Sequence, residues 1–141
     1  MRKTGIRSAV AAVALLASVL GAARADETPE ERFQRRMPQP VLVGDLIGLP
    51  VLDDNQSTLG YVRQVVRTSA GKIDLIVSYS PWFGWFGHPV AVPIESVGIF
   101  GRNIASLDMS RQDFAAAPNW SGAGAQPIPA TETIRIGLTR H

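Results

Sequence analysis

Short apolar runs, parted at close intervals by turn residues, confine residues 49–107 to a small sheet. Leu49 to Leu52 is a first strand, and Asp53-Asp54-Asn55-Gln56-Ser57 turns it, since Asp and Asn accept their own backbone amides and tolerate left-handed angles. Leu59 to Arg67 is a second strand, and Ser69-Ala70-Gly71-Lys72 turns the chain into Ile73 to Tyr79. There Ile73, Leu75 and Val77 face one side and Asp74, Ile76 and Ser78 the other, the pattern of a half-buried strand. Val90 to Val97 continues the sheet. Pro93 inside it cannot donate a ladder bond and marks an edge, a bulge or a bend. Ile104 to Leu107 follows the tight turn Gly101-Arg102-Asn103.

Ser110 opens a short helix with Asp113 at the capping-box position, Phe114 directed back at the sheet and Pro118 as its stop. Beyond it, Trp120 to Pro129 is a Gly/Ala/Pro linker, and Thr133 to Thr139 alternates again with Ile134, Ile136 and Leu138 on one side. A lone strand is unstable in water, so this one adds to its own sheet or to a partner's, or stays disordered. Upstream, residues 26–40 are polar. Thr28-Pro29-Glu30-Glu31 is a helix start, Phe33 and Met37 stand four apart as an apolar stripe, and the alternative is a mobile spacer.

The first 25 residues have the layout of a secretory signal peptide. Arg2, Lys3 and Arg7 form a basic region, Ala9 to Ala23 is apolar apart from Ser18 and Gly21, and Ala23-Arg24-Ala25 is a small-residue cleavage site. Fifteen Ala-rich residues are too few for a span that needs about 20 strongly apolar ones. Cleavage after Ala25 of the 141-residue chain would leave 116 residues, enough for one core and too few for two. It would also remove four of fourteen basic residues and none of the twelve acidic ones, turning a net charge of +2 into −2. A near-neutral protein has no electrostatic footprint for phosphate backbones, so nucleic acid is not an expected partner. With no cysteine there is neither a disulfide nor a lipid attachment site, and stability rests on the core alone.

Taken together, the opening DLIGLPV with its acidic turn, the LGYV strand, the glycine-rich loop running into HPVAVPIESV and the ending LDMSRQDFAAAP resemble the PRC-barrel family. That module occurs in the photosynthetic reaction-centre H subunit and in ribosome-maturation factors of the RimM type. The resemblance implies an all-β fold, a small, partly open PRC-type β-barrel closed by a short C-terminal helix. The expected organisation is therefore a signal peptide (1–25), a polar spacer (26–40), the PRC-barrel domain (41–118), and a linker with a C-terminal strand (119–141). Relatives dock onto larger assemblies, which implies a protein partner.

Catalytic signatures are sparse. The chain has two histidines, His88 in an expected loop and His141, and no cysteine to pair with either. No G-x-S-x-G elbow, P-loop or dinucleotide fingerprint occurs, and the glycines near residues 82–87 lead into a strand and not into a helix N-terminus. Neither a metal nor a cofactor is expected, nor an enzyme. Nothing in the pattern brings two of Asp74, Glu95 and Asp108 together.

What stands out is Pro81-Trp82-Phe83-Gly84-Trp85-Phe86-Gly87, with four of the chain's ten aromatic residues in five positions. Four large rings cannot all be core in a domain of this size. Either Trp82 and Phe86 fold inward against Phe114 as a plug, or the rings stand out between glycines as an anchor, since aromatic residues dominate binding hot spots. The candidate binding residues are Trp82, Phe83, Trp85, Phe86 and His88. The expected function is a non-catalytic periplasmic interaction or assembly module of the cell envelope. The alternative is small-ligand or glycan binding through loop 81–88. Membrane-surface contact is not favoured, because Lys and Arg do not flank the loop. Self-association through the tail strand is the remaining option.

Overall fold

A computed structural model describes residues 26–81 and 87–139. Within them the chain is mostly β. In order come α1 (Pro29–Arg35), β1 (Gln39–Leu42), α2 (Val43–Leu46), β2 (Pro50–Leu52), β3 (Thr58–Thr68), β4 (Ile73–Tyr79) and β5 (His88–Pro93). A 3-10 turn at Ile94–Ser96 leads to β6 (Val97–Phe100), β7 (Asn103–Ser106), α3 (Arg111–Ala116), β8 (Ala125–Pro127) and β9 (Thr133–Leu138).

The strands form one sheet in the order β1-β9-β6-β7-β2-β3-β4-β5, with β8 added beside β3. Pairing is antiparallel except between β2 and β7 and between β6 and β9. The path does not close, since β1 and β5 end it without pairing with each other. The sheet nevertheless wraps one core. Val51, Leu59, Val62, Val65, Leu75, Val77, Val92, Val97, Ile104, Ile134 and Ile136, from seven strands, meet Val43 and Leu46 of α2 and Phe114 of α3 in a single cluster.

The register explains why this core is hard to read from alternation. On β3 the core residues Leu59, Val62 and Val65 fall three apart, a spacing no regular strand gives. Two register shifts account for it: one on the β2 side between Val51 and Leu52, and one on the β4 side, where Val62 faces Val77 but Gln64 already faces Ile76. Each shift leaves an extra residue on β3, Leu59 and then Arg63, and bends the strand around the core. Gly60 is fixed by close approach: a Cβ there would lie 2.8 Å from the Ser78 carbonyl carbon and 3.0 Å from the Tyr79 Cα.

Several expectations change. The continuous strand expected over 90–97 is broken: β5 starts earlier, at His88, ends at Pro93, and the 3-10 turn separates it from β6. Pro93 has no N–H to extend the ladder, and Ser96 Oγ donates to its carbonyl at 2.7 Å, closing the turn. His88 is thus a strand residue, not a loop residue. The outer face of β4 is less solvated than alternation implies, since Ile76 is buried although it lies outside the main cluster.

The polar segment 26–40 is packed against the domain. The Thr28 hydroxyl accepts from the Glu31 N–H at 3.1 Å and starts α1. The helix stops at Arg35, and Met37 takes a left-handed φ of 52° that leaves its side chain 48 % exposed, so Phe33 and Met37 form no shared stripe. Arg36 does the anchoring. Its guanidinium grips the Asp108 carboxylate with two 2.9 Å bonds and donates to the Glu95 carbonyl, while its own carbonyl accepts from Leu138 N–H at 2.8 Å. The Arg36 bond, set partly against burial, holds Asp108 below the ordinary carboxylate range.

The tail strand is used within its own chain. β9 pairs antiparallel with β1 and parallel with β6, so the residues foreseen as self-association surface are already engaged.

Candidate functional site

The base of the β4–β5 hairpin is built from small, closely fitted parts. Tyr79 and His88 form its last pair, with ring centroids 5.4 Å apart and planes at 82°, an edge-to-face contact. The buried Tyr79 ring also packs on Phe114, 5.8 Å away, and so ties the hairpin to α3. Gly87 leads into His88 at a point where a Cβ would come within 2.8 Å of the Tyr79 carbonyl oxygen and 2.9 Å of Ser78 Oγ. Any other residue would push the two strands apart. From the tail, Trp120 N–H donates to the Pro89 carbonyl at 2.8 Å.

That last bond shows which way β5 faces. Pro89 turns its carbonyl away from β4, and by the two-residue period Ala91 and Pro93 present their backbone the same way. Two of those three residues lack an N–H, so the edge has one donor, Ala91, to offer a passing strand.

At the β4 end of the hairpin base lies a pocket of about 440 Å³, lined by residues 57–61 together with Ser80, Pro81 and Arg111. Its wall is set by the β2–β3 turn. Asp53 Oδ1 accepts from the Asn55 and Ser57 N–H groups at 3.0 and 2.9 Å, the turn role that Asp was expected to fill. Its other oxygen meets Arg111 Nε at 3.2 Å and Nη2 at 3.1 Å, and Arg111 Nη2 also donates to the Thr58 carbonyl. Burial alone would raise the Asp53 carboxyl. The Ser57 amide, Arg111 and the Asn55 amide outweigh it, and Asp53 titrates below the usual range. Arg111 therefore stands in the pocket with its charge matched by a buried carboxylate.

Among the sequence-derived candidates, Trp82, Phe83, Trp85 and Phe86 lie outside the described residues, and His88 sits at the loop's base, half-buried against Tyr79. Tyr61, Ser80 and Arg111 were not singled out from sequence. Tyr61 carried a readable signal, a large aromatic ring in a strand where polar residues alternate with core, and it is 41 % exposed. Arg111 carried none, because its contact partner lies 58 residues away. The two carboxylates that sequence did not bring together do interact: burial first, then Glu95, raises Asp74. Among the described residues no group of three His, Asp or Glu is placed to hold a metal ion.

Among the described residues, an open, curled, mostly β sheet with three short helices and a single wrapped core defines the class: a small β domain. Residues 41–106 match the family model of the PRC-barrel domain, so this part of the chain is a PRC-barrel domain. No curated protein matches the chain. α1, α3, β8 and β9 lie beyond the matched region, yet Phe114, Ile134 and Ile136 in them supply core residues.

Proposed function

We propose that this PRC-barrel protein is a non-catalytic interaction module of the cell envelope that engages a protein partner through the aromatic run 82–86. Residues 1–25 act in this reading as a cleaved signal peptide that delivers it to the periplasm. The sheet works as a partly open barrel with α3 across one end, where Phe114 fills the space beneath the hairpin.

The observation that carries the reading is the hairpin base. Tyr79, His88, Gly87 and Trp120 lock the two ends of the loop by ring contact, close approach and a backbone bond. A rigid base lowers the ordering cost of large rings offered to a partner, the condition under which aromatic anchors bind best. Changing Trp85 and Phe86 together to Ala should keep the melting temperature within a few degrees and abolish capture of the partner from envelope extract. A loss of several kcal/mol of stability would instead make the loop a plug. A second reading, ligand binding at the same end, is favoured by the pocket beside Ser80 and Pro81.

A further inference from the structure

We propose that the pocket between the β2–β3 turn and the base of the hairpin binds a neutral saccharide. The inference rests on the second reading above and narrows it to a ligand class and to residues outside the aromatic run.

Its chemistry points one way. The volume of about 440 Å³ falls within the range of small-molecule sites, about 300–1,000 Å³. Tyr61 supplies an exposed ring, and its strand position is fixed on both sides, opposite Pro50 on β2 and Ser78 on β4. Such a plate suits the C–H face of a pyranose. Hydroxyl-bearing Ser57 and Thr58, both exposed, and Arg111 line the same pocket. The charge of the Arg111 guanidinium is already matched. Asp53 lies 3.1 Å from Nη2, buried and held ionised, so an anion entering here meets a nearly cancelled field. A polyol loses nothing by that cancellation, because it needs donors, acceptors and an apolar face instead of net charge. The ligand is therefore uncharged and hydroxyl-rich with one flat apolar side.

The test is calorimetric titration of the purified protein with three neutral probes, maltotriose, cellotriose and triacetylchitotriose, joined by amide chemical-shift mapping. At least one should bind with a Kd of about 1 mM or tighter and shift the amides of residues 57–61 and Ser80. Tyr61→Ala should weaken it tenfold or more while the melting temperature stays within a few degrees. Tyr61→Phe, which keeps the plate, should bind within about threefold of wild type and guards against a folding defect in the Ala variant. The Trp85→Ala/Phe86→Ala variant should also keep its affinity. If none of the probes binds, the neutral-saccharide assignment is overturned, while the protein-partner reading is left to its own test. If the loop variant loses binding and Tyr61→Ala does not, the glycan reading survives on the loop and the pocket assignment falls. Tighter binding of a sulfated trisaccharide, reversed by salt, would overturn the neutral class.

Discussion

Replacing Asp108 by Asn should loosen the N-terminal helix from the domain, and the structure sets the size of the effect. Both carboxylate oxygens of Asp108 are taken by Arg36 at 2.9 Å, and Arg32 Nε, a buried nitrogen with no hydrogen-bond partner, lies 3.6 Å away. Exposed ion pairs contribute about 0–1 kcal/mol, while removing one partner of a buried pair costs about 3–5 kcal/mol. Arg36 and Asp108 are 15 % and 26 % exposed, between those limits, and Asn keeps the shape and one acceptor. We expect a loss of about 1–3 kcal/mol at pH 7. The pH dependence follows from the depressed carboxyl of Asp108. Its contribution is fully present above the unfolded value, about 3.9, and is lost as pH falls through the lower folded value. Urea melts at pH 7 should therefore separate wild type from Asp108→Asn, and the separation should shrink as pH falls below the ordinary carboxylate range. Hydrogen exchange should show α1 amides opening in the variant while β4 stays protected. Equal stability at pH 7 with unchanged α1 protection would refute the anchoring argument. A double-mutant cycle with Arg36→Gln then isolates the pair, with a coupling of about 1 kcal/mol or more expected.

Three other outcomes follow from the fold. Gly60→Ala forces β3 away from Ser78 and Tyr79 and should cost about 1–3 kcal/mol, read from thermal melts. Leu75→Ala should cost about 2–5 kcal/mol, and Ile76→Ala should cost more than a solvent-facing residue would, because both side chains are buried; a near-neutral Leu75→Ala would place the core on the opposite face. Intact-mass measurement on protein from the envelope should give an N-terminus at Asp26 or within a residue or two of it, and a full-length mass in the cytoplasm would end the export proposal.

The strands legible in sequence were those whose turns carry their own chemistry. Asp53 to Ser57 and Ser110 to Asp113 are local devices, each bond closing within four residues, and both stand where the residues put them. β3 was legible as a strand, but its core set was not, because two register shifts replace alternation by steps of three. The break inside 90–97 is hidden for a related reason. Val90, Val92 and Ile94 keep an apolar alternation straight through Pro93, and only the lost N–H marks the break. The packing of residues 26–40 depends on Arg36 meeting a carboxylate 72 positions away, a contact no local pattern encodes. The aromatic run is conspicuous in sequence, whereas the pocket comes from residues 57–61, Ser80, Pro81 and Arg111, joined only in the folded chain.

The pairing of β1 with β9 has a temporal side. Residues 39–42 meet residues 133–136, so the two ends of the domain close on each other. A ribosome releases the second partner long after the first, and loop-closure entropy must be met before that contact returns anything. Ile134 and Ile136 are core residues, so a nascent chain that has not yet reached them has an unfilled interior. For a protein that must cross a membrane unfolded before it works, as we propose for this one, such an arrangement keeps the chain threadable until β9 arrives.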